Sequence, residues 1–248
     1  MKKQKLLMNK KGELTTKQLV TIIILIVSFI VILFLIFRLN LGETSDKEIC
    51  RNSVILKGQS KLSTGPLDCR TNYLCISGSG ECEAISQTSE TEVDADNETQ
   101  IMKALADEMS DCWFQFGEGE VNYGSVSPSE FGIEYALCSI VSFDESIQNN
   151  NLELTYQKLY DYMRTTQKSN PQTYLQYLYG TNTLDGIDDV GYVEFDLSES
   201  INTGERYSII TGIDNNPTPQ NDVILKVYII PTDETNSRLD SGKFITKP

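Results

Sequence analysis

Histidine is absent from the 248-residue chain, and its absence excludes several kinds of active site. Without imidazole the chain lacks the commonest general base, the Ser-His and Cys-His nucleophile pairs, and imidazole metal ligands. The six cysteines include no Cys-x-x-Cys pair, so the spacing of zinc sites is missing as well. The sequence therefore predicts no catalytic residue, no bound metal and no cofactor.

Basic residues are also scarce, with 21 Lys and Arg against 35 Asp and Glu. Residues 41–248 hold 34 of the acidic and only 14 of the basic side chains, a net charge of −20. Such a surface repels phosphate backbones, which excludes nucleic acid as a partner. Paired carboxylates can hydrolyse glycosidic bonds, so a hydrolase acting on envelope polymers is an alternative, although the sequence nominates no particular pair.

One long apolar run, Leu19 to Phe37, contains neither a charge nor a helix breaker. As a helix it would rise about 28 Å, close to a hydrocarbon core of about 30 Å. The preceding segment, residues 1–18, carries six lysines and one glutamate. Because basic flanks stay in the cytoplasm, we expect a transmembrane helix over residues 19–37 in contact with membrane lipid. The cell membrane is then the expected location, with the N-terminus cytoplasmic and the C-terminal domain extracytoplasmic.

All six cysteines follow the apolar run. An even number in a translocated segment predicts disulfide bonds formed in an oxidising compartment. Six cysteines allow 15 pairings. We expect Cys112 on a helix to pair with Cys138 on the next strand. Among Cys50, Cys69, Cys75 and Cys82 the pairing stays open, and Cys75 with Cys82 is favoured because they flank a Ser-Gly-Ser-Gly turn sequence.

Composition divides the external part into three segments and predicts an α+β fold. Residues 43–83 read as a cysteine-rich β knob, with a strand at Ile49 to Leu56. Residues 84–96 are polar and acidic, as in a linker. Residues 97–248 read as a domain of three helices followed by an antiparallel sheet. The expected helices cover residues 97–116, 152–164 and 171–179, and the expected strands cover residues 135–143, 191–197, 207–213 and 223–230.

A tyrosine-rich stretch spans the second and third of these helices. Tyr156, Tyr160 and Tyr174 fall at core-facing positions, whereas Tyr162 and Tyr177 are free to meet a partner. Tyrosine is enriched at protein interfaces, so these two residues are candidates for an interaction surface.

Several stretches resemble a group of uncharacterised archaeal single-pass membrane proteins: KKGELTTKQLVTIIILIVSFIVILFLIF, CRNSV, LDCRTNYLC and ADEMSDCWFQFGEGE. This resemblance implies an anchor and paired cysteines but no activity. Lys10-Lys11-Gly12 is also similar to the cleavage context of archaeal type IV pilins and archaellins, in which the cut follows the glycine. Lys17 departs from that pattern, because the fifth mature residue is usually acidic.

These features together predict a membrane-anchored, extracytoplasmic interaction or structural protein with a protein partner outside the cell. The alternative is a pilin-like filament subunit processed after Gly12, in which the apolar helix packs in a fibre core.

Overall fold

The computed structural model describes residues 16–38, 41–60, 67–83, 85–124, 132–184, 187, 196–215, 223–235 and 242–246. The chain forms two compact units, residues 1–44 and residues 45–248.

The first unit contains helix α1, Thr16–Arg38. Its apolar side chains from Leu19 to Phe34 are exposed on all sides, each by 37–64%. The transmembrane helix expected over residues 19–37 requires correction, because no helix in the described part of the chain is long and apolar enough to cross a bilayer. The side chains of residues 35–37, the basic segment up to residue 15 and the expected cleavage point after Gly12 lie outside the described residues.

Helix α2, Leu41–Gln59, covers the segment in which the sequence predicted a strand. Cys50 and Val54 are fully buried, while Ile49 and Leu56 are exposed by 48% and 64%. Buried positions four residues apart fit a helix with one face on the core, and they do not fit the two-residue period of a strand. The β-branched residues misled the prediction, and packing against the core selects the helix.

The remaining elements alternate between helices and strands along the second unit. The helices are α3 (Glu98–Gln115), α4 (Glu145–Gln148), α5 (Tyr156–Thr165) and α6 (Tyr174–Tyr179). The strands are β1 (Asn72–Ser77), β2 (Ser89–Glu92), β3 (Ile133–Phe143), β4 (Gln167–Ser169), β5 (Gln172–Thr173), β6 (Tyr207–Asp214), β7 (Val223–Pro231) and β8 (Gly242–Phe244). The described part of residues 97–248 thus holds four α-helices, one more than predicted. Most of the strand expected at residues 191–197 lies outside the described residues.

The main sheet is mixed, which corrects the predicted antiparallel sheet. Its strand order is β2-β1-β3-β6-β7, and β8 also pairs with β3. Strands β3, β6 and β7 are antiparallel neighbours, but β1 is parallel to both β2 and β3, and β8 is parallel to β3. The chain passes from β1 to β3 through α3, and a long connection containing a helix allows a parallel return.

The predicted knob and linker are not separate from the rest of the second unit. Strand β1 lies beside the central strand β3, and β2 forms within the predicted linker of residues 84–96. Ser89 and Val93 in that segment are buried, each with 8% exposure. Composition suggested a linker because it does not reveal backbone pairing at a sheet edge, which even polar residues can supply.

Helix α3 lies at the centre of the helical layer and contacts α5, α6, β6 and β7. It begins where the Asn97 side chain accepts a hydrogen bond from the N–H of Gln100 at 3.2 Å. Its buried face includes Leu105, Met109 and Trp113. The opposite face of α3 is therefore left to carry polar groups.

Candidate interaction site

All six cysteines are paired in disulfides, which confirms the prediction of disulfide bonds. The structure joins Cys50 to Cys69, Cys75 to Cys82 and Cys112 to Cys138. The first bond fixes α2 to the segment before β1, the second closes the loop after β1, and the third joins α3 to β3. Each cysteine is at most 4% exposed, so these bonds act as internal cross-links.

The solvent-facing side of α3 carries a row of charged residues at four-residue spacing. Lys103, Asp107 and Asp111 are partly exposed, and four-residue spacing places them on one face of the helix. The Lys103 ammonium lies 2.5 Å from one oxygen of Asp107. Lys47 from α2 pairs with Asp111 at 2.7 Å and also approaches Glu108 at 3.6 Å. The row is thus held by ion pairs along the helix and from a neighbouring one.

Tyr174 and Tyr162 lie beside this row. The Tyr174 hydroxyl donates a hydrogen bond to Asp107 at 2.5 Å, and the Tyr174 ring packs 6.1 Å from the ring of Tyr162. Burial of Tyr174, strengthened by the hydrogen bond to Asp107 and its negative charge, raises the pKa of the Tyr174 hydroxyl. Burial also raises the pKa of the half-buried Tyr162 hydroxyl. Both hydroxyls therefore stay protonated at neutral pH and remain hydrogen-bond donors.

Tyr177 reaches the other end of the row, where α3 ends. Its hydroxyl donates to one oxygen of Glu118 at 2.7 Å, and Arg51 from α2 binds the second oxygen at 2.7 Å. The Arg51 guanidinium also donates to the carbonyl of Phe114 and lies 4.0 Å from the centre of its ring. The Lys168 ammonium sits 4.8 Å from the centre of the Tyr177 ring. The ring and the hydroxyl of Tyr177 are thus both in a polar, charged setting.

The turn that presents Glu118 has an unusual backbone. Glu118 adopts φ 57° between Gly117 at φ 79° and Gly119 at φ 77°. A left-handed conformation costs a residue with a Cβ of the order of 1 kcal/mol or more. The contacts with Arg51 and Tyr177 offset this cost and define where the carboxylate points.

Electrostatics at Glu118 follow from these contacts. Burial alone raises the pKa of the Glu118 carboxyl, but the hydrogen bonds from Tyr177 and Arg51, with the Arg51 charge, outweigh burial and lower the pKa. Burial, together with the hydrogen bond to the carboxylate, raises the pKa of the Tyr177 hydroxyl. The pair is therefore fixed as carboxylate and neutral phenol over the neutral pH range.

We call this surface the tyrosine face and define it by Tyr162, Tyr174, Tyr177, Lys103, Asp107, Glu118 and Lys168. Tyrosine side chains already held by carboxylates lose little conformational freedom on binding, which favours recognition. The sequence nominated Tyr162 and Tyr177, and both are half-buried and pack against the main hydrophobic core. The sequence predicted a core position for Tyr174. The Tyr174 side chain is 5% exposed, and its hydroxyl also reaches Asp107 in the charged row. Glu118 was missed because its role depends on residues that are about 60 positions away.

Clusters of metal-ligating side chains and enclosed pockets are the usual marks of other kinds of site. No group of three or more potential metal-ligating residues occurs in the described part of the chain. A pocket lined by Asp46, Ile49, Asp68 and Arg70 has a volume of about 190 Å³. Small-molecule sites usually enclose roughly 300–1,000 Å³. None of these four lining residues belongs to the tyrosine face, and we do not assign the pocket a role.

Comparison of the chain with family profiles, curated proteins and solved structures found no match in any of the three.

Proposed function

We propose that residues 45–248 form a disulfide-stabilised interaction domain that works outside the cytoplasm and binds a protein partner through the tyrosine face. The observation that carries this proposal is the preorganisation of that surface. Tyr174 and Tyr177 each donate to a carboxylate, and Lys103, Lys168 and Arg51 balance the carboxylates. Large aromatic side chains beside paired charges are typical of protein–protein contacts.

The extracytoplasmic setting is supported by the disulfides. Three buried cross-links in one unit fit an oxidising compartment, because cytosolic thiols are kept reduced. Thiols in native cells can be alkylated before lysis, and the protein then analysed by mass spectrometry. We expect six unmodified, paired cysteines, whereas alkylation of the six thiols before reduction would place the domain in a reducing compartment.

The interaction role can be tested by photocrosslinking in the native cell. A benzophenone amino acid replaces Tyr162 in one variant, Tyr177 in a second and Tyr73 in a third. Tyr73 is a matched control, because it is also a partly buried aromatic residue but lies on β1, outside the tyrosine face. The proposal predicts a discrete adduct of one mass from positions 162 and 177 and none from position 73. Equal adduct patterns at the three positions, or no adduct at any, would refute it.

A filament subunit is the second candidate function, and the exposed apolar surface of α1 favours it. The side chains from Leu19 to Phe34 are exposed around the whole helix, and single proteins rarely leave so much apolar surface uncovered. Packing α1 helices from several copies would bury this surface on all sides. In this case mass spectrometry of the native protein should find Glu13 as the first residue. An intact lysine-rich N-terminus would reject processing of the pilin type.

A further inference from the structure

One edge of β3 is divided between two parallel partners. Strand β1 pairs with residues 139–143, and the short strand β8 pairs with residues 133–135. The pairing continues past β8, because the N–H of Ile245 donates to the carbonyl of Tyr135 at 2.9 Å. The backbone N–H of Leu137 also donates to the Thr246 hydroxyl at 3.0 Å. Five consecutive residues, 242–246, therefore line one stretch of strand edge.

This stretch of β3 has the chemistry of a peptide-binding groove. The Glu134 carboxylate is 1% exposed and lies 2.8 Å from the ammonium of Lys243, whose side chain is 48% exposed. A carboxylate in so buried a place requires a cation, so the groove selects a basic residue at this point of the bound strand. The aromatic ring of Tyr135 lies 6.0 Å from that of Phe244, which sets a preference for an aromatic residue next.

The first position of the bound strand must be glycine. A Cβ at Gly242 would lie 2.5 Å from the carbonyl oxygen of Ile133 and 2.7 Å from the ring of Tyr135. The backbone oxygen cannot move away without breaking the pairing of β3, so any side chain here is excluded. The steric limit at Gly242, the charge of Glu134 and the ring of Tyr135 act on three successive positions. The groove therefore recognises the sequence glycine, lysine, aromatic residue.

Strand β8 is short and exposed to solvent. All three residues of β8 are exposed, and among the described strands β8 pairs with β3 alone. A short strand at a sheet edge can leave and be replaced by an identical strand, because the new strand makes the same hydrogen bonds. The same contacts can form within one chain or between two chains. Higher protein concentration favours the form in which strands are exchanged between chains.

We infer that this groove on β3 also binds residues 242–246 of a second copy of the chain, so that two or more copies associate by exchanging these strands. The occupant is specified by the groove, because every copy carries the sequence Gly-Lys-Phe-Ile-Thr that fits it. This surface is distinct from the tyrosine face, so the inference does not depend on the proposed partner.

Reversal of the buried ion pair tests the exchange in the full-length chain. Glu134→Lys and Lys243→Glu each place like charges in the groove of their own chain. In an equimolar mixture, the new amine at position 134 of one variant can meet the new carboxylate at position 243 of the other only across two chains. A carbodiimide joins an amine to a carboxylate in direct contact, and we expect the 134–243 cross-linked peptide in the mixture but in neither variant alone. Its yield should rise with protein concentration.

Two controls make the result decisive. The double variant E134K/K243E restores the pair within one chain and shows that the cross-link can form. The pair Lys158–Glu98, at 3.0 Å and partly exposed at both residues, provides a matched reversal away from the groove. A mixture of Glu98→Lys and Lys158→Glu should give no cross-link between chains. If the 134–243 product forms in the double variant but never in the mixture, strand exchange is excluded.

A second measurement covers the case in which the single variants do not fold. Phe244, which is 44% exposed, is replaced by a benzophenone amino acid in both ¹⁴N- and ¹⁵N-labelled chains, which are then mixed. Adducts between position 244 and β3 that combine both isotopes support exchange. Adducts of a single isotope at every concentration contradict it.

Discussion

Removal of the disulfide between Cys112 and Cys138 should destabilise the second unit more than removal of either of the other two disulfides. The bond closes a loop with a sequence separation of 26, compared with 7 for the Cys75–Cys82 bond. In the chain-entropy treatment these separations correspond to about 3.5 kcal/mol and about 2.4 kcal/mol of stability, respectively. The expected difference is therefore about 1 kcal/mol.

The matched comparison uses two double variants, C112A/C138A and C75A/C82A. All four sulfur atoms are in buried residues, with exposures of 0–4%, so the packing lost is similar in both variants. What differs is the length of chain that the bond restrains in the unfolded state. The ratio of the two losses in free energy of unfolding thus reports on loop entropy and not on cavity formation.

Trp113 provides the assay, because it is the only tryptophan and is 4% exposed in the folded chain. Denaturant unfolding followed by its fluorescence gives the free energy of unfolding of each variant and of the wild-type chain. If C75A/C82A is destabilised as much as C112A/C138A or more, the loop-length argument is refuted. If the free energy of unfolding of C112A/C138A equals that of the wild-type chain, the disulfide between α3 and β3 has no stabilising role.

Three further predictions concern turns and helix ends. Gly119→Ala places a Cβ 2.8 Å from the Trp113 ring, whereas the Cβ of Gly180→Ala meets nothing within 4 Å at a similar positive φ. We therefore expect Gly119→Ala to lower the free energy of unfolding by about 1–2 kcal/mol more than Gly180→Ala does. Gly119→Ala should also shift the tryptophan emission. Asn97→Ala removes the cap of α3 and should cost about 1 kcal/mol in denaturant unfolding. Asp144→Asn should cost about 1 kcal/mol at pH 7, and this difference from wild type should disappear in acid.

The acid dependence at Asp144 follows from its hydrogen bonds. Burial alone raises the pKa of the carboxyl, but bonds from the N–H of Ile147, the Ser146 hydroxyl and the N–H of Ser79 outweigh it and lower the pKa. The charge therefore stabilises the fold above the unfolded-state pKa of about 4, and the contribution is lost as pH falls through the lower folded-state pKa. The stability difference between Asp144→Asn and wild type is measured as a function of pH.

Each of these predictions has a contradicting outcome. Equal stabilities of the two glycine variants would mean that Trp113 does not restrict residue 119. Unchanged stability of Asn97→Ala would remove the side-chain cap as the reason α3 begins there. A pH-independent difference for Asp144→Asn would show that shape, and not charge, explains the effect of that substitution.

Local sequence signals located several elements well. The apolar periodicity that follows Asn97 is reflected in α3, and the runs of β-branched residues at residues 207–213 and 223–230 are reflected in β6 and β7. These elements could be predicted because each one buries a face, and the periodicity of apolar residues within the element itself indicates that face. The cysteines likewise indicated disulfides through their even number and their position in the chain.

Signals that depend on distant residues were misread. The segment around Cys50 and Val54 has β-branched residues, but contact with the core makes it a helix. The polar segment that contains β2 looked like a linker, because its pairing with β1 is invisible in composition. The strand direction that makes the sheet mixed, and the pairing of β8 with β3, also arise from connections and not from local pattern.

The sequence by itself determined which chemical groups this protein has: no imidazole, six cysteines and a large acidic excess. From that composition we predicted recognition, and not catalysis, as its role. Only the tertiary structure decided which residues could form a recognition surface. Glu118, Arg51 and Tyr177 come from three separate elements, and they meet because α2 and α6 both lie near the end of α3. Residue type sets what a side chain can bond to, but the folding of distant segments sets which partner is within reach.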